Sequence, residues 1–291
     1  MVGISFASIL IRLAEAPALV VAFYRMAIAA ALVWSVTLLS HSADLKQLRG
    51  RPLLLSLISG VFVAAHFGTW ITSLGYTSVA SSVVLVATQP LFVALISHFF
   101  LGERISALTA WGILAAVVGG AVIGFGDFAE GSNILMGDVL ALVGAIMAAG
   151  YLLIGRRVRA SVSLLPYVSV VYGAASLVLL LSVLVSGQTL VGYVPRTYLM
   201  MFLVAVVPQV VGHSSLNWAL GYLSAAFVAI SILGEPVGAT LWASIILQEP
   251  PTIAEVVGGV AVLAGIYLAV KGERYRLKRG EPSKSPTATD L

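Results

Sequence analysis

Apolar runs of roughly twenty residues recur along the whole chain with only short polar breaks between them. This pattern predicts helices at about 2–13, 17–40, 53–74, 78–100, 106–125, 134–155, 164–186, 197–220, 224–247 and 252–271. All but the first are long enough to cross about 30 Å of hydrocarbon. Pro17, Pro52, Pro166 and Pro251 stand at predicted starts, where a first helical turn needs no N–H donor. A transmembrane β-barrel would need strands of about ten residues with alternating polarity, and stretches such as "ASLVLLLSVLV" do not alternate. The first run is the anomaly. From Met1 to the turn at Glu15 and Ala16 only about 12 residues are available, too few to span a bilayer. The expectation is that the true start lies upstream or that half a helix is missing. A cleaved leader fits poorly, since no basic region precedes the run and no small-residue cleavage site precedes Arg12.

Composition agrees with an integral membrane protein: 60% of residues are hydrophobic and 10% charged, with a mean hydropathy of +1.05. The placement of charge adds the orientation. Lys46, Arg49 and Arg51 follow the second predicted helix, Arg104 the fourth, Arg156, Arg157 and Arg159 the sixth, and a basic tail the tenth. The loops between hold almost no bases; "GDFAEGSN" after the fifth helix has two acids and none. By the positive-inside rule both termini are cytoplasmic, in the cell's cytoplasmic (inner) membrane. Residues 272–291 read as a basic, disordered cytoplasmic tail. The chain has no cysteine, which excludes disulfides, thiol nucleophiles and Cys-ligated zinc.

Shifted against itself by 146 positions, "LGYTSVASSVVLVATQPLFVAL" from Leu74 aligns without a gap on "LGYLSAAFVAISILGEPVGATL" from Leu220. Gly75, Tyr76, Pro90, Glu103, Gly112 and Gly119 meet Gly221, Tyr222, Pro236, Glu249, Gly258 and Gly265. Two repeats of five helices follow, over 1–125 and 134–271. An odd helix number puts the second copy upside down relative to the first. The predicted fold is therefore an all-α polytopic membrane protein of ten helices in two inverted-topology repeats, its first helix truncated. Such repeats commonly belong to secondary transporters, with the solute near the midplane at the repeat interface.

The chain also resembles the EamA-type permeases of the drug/metabolite transporter superfamily. The residues that carry this are the "P…LGE" patterns joining the fourth and fifth helices of each half, here "QPLFVALISHFFLGERIS" and "EPVGATLWASIILQEPPT". The second copy departs mildly, with Gln248 before Glu249. The resemblance implies export or facilitated movement of small metabolites, amino acids among them, and does not name one substrate.

Polar groups inside the apolar runs are the candidate site, because a carboxylate near the bilayer centre costs roughly 2.5–3.5 kcal/mol on insertion scales. Ser231, Glu235, Gly238 and Trp242 share one helical face, while Val237, Leu241 and Ile245 face the other way, toward lipid. Gln89 is the counterpart of Glu235, and each precedes a proline that frees a carbonyl one turn earlier. Glu235 is a candidate for solute contact or proton coupling; the alternative is a hydrogen bond that holds two helices together. His66 with Trp70, and His213 with Asn217, are four apart and share faces, suited either to a planar or cationic solute or to interhelical packing. Among the aromatic residues near helix ends, including Tyr172 and Tyr222, Tyr151 is singled out as a cavity candidate rather than an interfacial anchor. Arg12 and Glu15 are expected to form a local ion pair near the external interface. Arg25, deeper, has Glu15, a helix end or a solute carboxylate as possible partners. Glu103 and Glu249 read as loop and helix-start caps.

No G-x-x-x-x-G-K-[ST] is present, so ATP-driven pumping would need another subunit. The four histidines form no H-E-x-x-H, and neither metal nor cofactor is implied. No nucleophile stands with a base in reach, which argues against an enzyme. The expectation is a small-molecule carrier in lipid, monomeric or homodimeric, with protons as a candidate coupling ion and no nucleic-acid partner. The competing reading is a membrane receptor or assembly protein without transport.

Overall fold

The computed structural model describes residues 2–101, 106–130, 132–222, 232 and 234–278. Every regular element among them is helical. The first run is two short pieces, α1 (Val2–Ser5) and α2 (Ala7–Leu13), separated at Phe6. Then come α3 (Ala18–Ser40), α4 (Arg51–Ser73), α5 (Val79–Val86), α6 (Gln89–Leu101), α7 (Ala107–Glu130), α8 (Ser132–Arg159) and α9 (Leu164–Val185). α10 (Pro195–Val204) runs through a π-helical stretch, Ala205–His213, into α11 (Ser214–Leu220). α12 (Gly234–Trp242) ends in a second π-helical turn, Ala243–Leu247, and α13 spans Ile253–Lys278. Seven of these spans are long and apolar enough to cross a membrane, with Gly3–Leu13 and Ala107–Ile123 as shorter apolar helices. The chain is a multi-pass helical membrane protein.

Two boundaries differ from the sequence reading. "GDFAEGSN", expected as a loop, is helical up to Glu130 and again from Ser132. The 24 residues of α7 extend about 36 Å, longer than the roughly 30 Å of hydrocarbon a span must cross. The tail expected to be disordered from 272 continues as helix through Lys278. Of the predicted ninth helix, 224–247, only Ile232 and the part from Gly234 are described, so Ser231 lies outside the described residues, as does Glu103.

The proline-linked break is present in the first copy. The helix stops at Val86 and resumes at Gln89, as expected where Pro90 cannot donate to the carbonyl four residues back. At the break both the backbone N–H, at 3.1 Å, and the hydroxyl, at 2.6 Å, of Thr88 donate to Leu85 O. Pro208 lies inside the π-helical stretch of the eighth predicted span, a local adjustment of the same origin.

α4 lies against both α8 and α9, α3 packs on α9, and α7 pairs with α13. Hydroxyls tie these apolar faces together: Thr37 to Ser169 at 2.9 Å between α3 and α9, and Ser59 to Tyr167 at 2.8 Å between α4 and α9. In hydrocarbon such bonds satisfy groups that have no water to turn to. The α7–α13 crossing is made by glycines. A Cβ on Gly119 would sit 2.6 Å from Gly258 O, one on Gly258 2.6 Å from Gly119 O, and Gly112 and Gly265 block each other in the same reciprocal way. Low numbers meet high ones, so the two helices run antiparallel. Leu39, Val185 and Val260, by contrast, project outward and exposed, as a lipid-facing surface requires.

Candidate functional site

A small cavity lies among α4, α6, α8 and the π-helical stretch, and its walls carry polar groups. Val63, His66, Phe67, Gln89, Tyr151, Gln209, His213 and Ile232 are among its lining residues. It encloses about 20 Å³, room for a water or so, and is therefore nearly closed. Two wall residues, Phe67 and Gln209, hold the most deeply buried cation among the described residues. Arg25, on α3, is 0% exposed. Its Nε donates to Gln209 Oε1 at 2.8 Å, and its guanidinium carbon lies 3.9 Å above the centre of the Phe67 ring. Its Nη1 and Nη2 have no hydrogen-bond partner among the described residues. Neither Glu15 nor a helix end takes them. Glu235, half-buried on α12, acts on Arg25 electrostatically, but no ion pair joins the two among the described residues.

The predicted residues separate into two groups. His66, Trp70, Gln89, His213 and Glu235 gather round the arginine and the cavity. His66 stacks parallel to Trp70 with ring centres 6.0 Å apart and bonds Gly144 O through Nδ1 at 2.9 Å. His213 meets the Phe67 edge at 5.4 Å. Trp70 is buried, and its indole Nε1–H has no partner among the described residues. Asn217 is bonded to its neighbours in the bundle: it accepts from the Tyr151 hydroxyl at 2.5 Å and donates to His213 O at 3.0 Å. Tyr151 keeps its ring on the cavity wall while its hydroxyl is committed to Asn217. Phe67, Gln209 and Tyr172 were not anticipated here. Tyr172, expected at an interface, is fully buried and bonded to Ser214 Oγ at 3.1 Å. Gln209 carried a usable signal, an amide beside a proline within an apolar run; Phe67 carried none.

The expected local pair of Arg12 and Glu15 does not form. Glu15 adopts a left-handed backbone, φ 50°, so it leaves the helical register that brings side chains three apart together. Arg12 instead bonds Thr77 O at 2.9 Å and lies 3.6 Å from Glu249, while Glu15 faces Arg196 at 4.0 Å. Glu249 is a cap, but of a helix in the other half: its carboxylate accepts Val79 N–H, at the start of α5, at 2.7 Å. Glu255 accepts from Ser78 and Ser81 and from its own Thr252 N–H. One end of the bundle, the end poor in basic loops, is thus fastened by two carboxylates across its halves.

The larger cavity, about 560 Å³, lies between α5, α6, α7 and α8 and is lined by Leu85, Leu91, Phe92, Ile113 and Val117. Its polar members are Thr88 and Asp138, and Asp138 accepts from Thr77 at 2.9 Å. Such a surface suits hydrocarbon rather than a polar solute. Among the described residues no group of three His, Asp or Glu could hold a metal ion.

Comparison with known proteins agrees with the membrane reading. The model of the EamA-like transporter family matches residues 1–125 and 135–271. An uncharacterized transporter of Archaeoglobus fulgidus is 27% identical over 92% of this chain and 94% of its own length. The pseudopaline exporter CntI of Pseudomonas aeruginosa is 28% identical over 86% of this chain and 85% of its own. A crystal structure superposes with a TM-score of 0.66 at 20% identity, covering 94% of this chain and 97% of that one. At that identity it speaks for the fold alone.

Proposed function

The chain belongs to the EamA-like transporter family, and from that membership we propose that it is a secondary carrier of small metabolites, amino acids or related polar and aromatic compounds, working by alternating access. The halves are two inverted five-helix repeats, residues 1–125 and 134–271. The reciprocal glycine contacts favour this layout: helices equivalent at an offset of 146 cross antiparallel, Gly112 meeting Gly265, the counterpart of Gly119, and Gly119 meeting Gly258, the counterpart of Gly112. The observation that carries the functional reading is the cavity at the meeting of both halves, where His66, Phe67 and Gln89 of one face Tyr151, Gln209 and His213 of the other.

The cavity is nearly closed and the base-poor end is fastened by Glu249 and Glu255. This is the arrangement of a carrier between openings, in which the halves must part before a metabolite fits. Export is the direction favoured by the relative named as an exporter. Both termini face the cytoplasm in this reading, and protons are the candidate coupling ion through Glu235.

The test is loss of a mixed metabolite pool from proteoliposomes, read by mass spectrometry with and without a pH gradient. Selective loss of one chemical class supports transport. No loss above empty liposomes, with folded protein, favours a receptor or assembly role. Glu235→Gln is expected to remove the dependence of flux on the pH gradient while leaving folded protein; unchanged dependence excludes Glu235 as the proton carrier.

A further inference from the structure

Buried cations in proteins are paired, because an unpaired charge taken out of water is costly. Arg25 does not follow this rule. Only one of its three nitrogens is bonded, to Gln209, and the remaining two form the free edge of a planar fork. A second orphan lies nearby: the Trp70 indole N–H is buried without a partner, and the Trp70 ring is 5.9 Å from the Arg25 guanidinium carbon. Three donors without a hydrogen-bond partner among the described residues thus lie in one aromatic setting of Phe67, Trp70 and His66.

We propose that the free edge of Arg25, together with the Trp70 indole N–H, is the binding subsite for a carboxylate group of the transported solute. This rests on the carrier reading above. A carboxylate is planar and accepts two parallel N–H bonds from one guanidinium edge. The single unpaired cation suits one negative charge better than a dianion. The geometry also orients the fork: Gln209 fixes Nε and the Phe67 face supports the guanidinium plane, so the unpaired edge is held rather than free to swing. Glu235 reaches Arg25 only at longer range, leaving the edge available. A solute carrying one carboxylate and an apolar or aromatic remainder would satisfy the donors and pack its body against the aromatic side chains.

The test compares purified protein with matched acid and amide probes, phenylacetate against phenylacetamide and benzoate against benzamide, using thermal stabilisation in detergent as the binding readout. The acids are expected to raise the melting temperature with concentration, and the amides to do so far less. Gln209→Glu supplies a carboxylate beside Arg25 within the chain; it should keep the protein folded and weaken the response to acids roughly tenfold or more. Arg25→Gln should abolish the difference between acids and amides. Equal responses to acids and amides in the unmodified protein, or an acid response unaffected by Gln209→Glu, would overturn the assignment. Flux is measured separately on the same preparations. Transport confined to solutes without a carboxylate leaves the carrier reading standing and removes the subsite. Acid binding that depends on Arg25 in a protein with no flux does the reverse.

Discussion

Replacing Gly119 by alanine tests one of the two glycine contacts at which α7 and α13 cross. The added Cβ would lie 2.6 Å from Gly258 O, 2.8 Å from Val262 N and 3.0 Å from the Ala261 Cβ. Ordinary contact begins at about 3.5 Å, so the two backbone approaches are roughly 0.7–0.9 Å too short. Backbone atoms cannot rotate away as a long side chain can. Relief therefore needs the helices to separate by most of an ångström, which forfeits a quarter to a half of each dispersion contact across the crossing. Overpacking of this kind typically costs about 1–3 kcal/mol, against up to about 1 kcal/mol gained in helix propensity. A net loss of about 1–2 kcal/mol is expected. Gly258→Ala meets the reciprocal obstruction, Gly119 O at 2.6 Å, so once one substitution has parted the helices the second costs less. The double variant should fall short of the sum of the singles by about 1 kcal/mol. Gly234→Ala is the control, since nothing lies within 4 Å of its added carbon. Unfolding in mixed micelles, titrated with dodecyl sulfate and followed by tryptophan fluorescence, measures all four. A Gly119→Ala protein as stable as Gly234→Ala, or full additivity in the double variant, would refute the reasoning.

The absence of cysteine from the chain makes its natural sequence a background for accessibility tests. Ile9→Cys, buried about one turn from Arg12, should resist a membrane-impermeant thiol reagent, and adding Glu249→Gln should speed its labelling severalfold by loosening the fastened end; equal rates would show that Glu249 does not hold it shut. Asn217→Ala orphans the Tyr151 hydroxyl and should cost about 1–3 kcal/mol of stability. Flux per folded molecule should stay close to normal, and a large loss of flux without loss of stability would return Asn217 to the solute site.

What the sequence revealed and what it hid follow from how far each interaction reaches along the chain. The Gln89–Pro90 break was legible because its cause is local: proline removes a donor one turn from the carbonyl it orphans. The pairing of Gly112 with Gly265 and of Gly119 with Gly258 was half legible. Small-residue spacing announced close approach, and the repeat offset suggested the partner. Arg12 and Glu15 were misread because spacing three apart assumes that a helix continues, and the chain leaves the helix at Glu15. Arg25 was recognised as needing a partner, but the groups that hold it, Phe67 and Gln209, lie 42 and 184 positions away. No periodicity links such residues; only the packing of α3 against α4 and the π-helical stretch brings them together.

On the proposed carrier reading, the carboxylate assignment bears on the transport cycle through the cost of closing empty. With the halves together, the cavity holds about 20 Å³ and two buried guanidinium nitrogens have no hydrogen-bond partner among the described residues. Removing one partner of a buried ion pair typically costs about 3–5 kcal/mol, and an empty closed carrier is in the same position. Parting the halves would let water reach the fork, so an empty carrier should favour open states. A bound carboxylate removes that penalty only when the halves close round it, which is the differential affinity a ligand needs in order to shift a population. Loading and closure are then the same event. Flux measured with solute on both sides should exceed net flux into solute-free buffer, because the return of the empty carrier is the step that carries the unpaired charge.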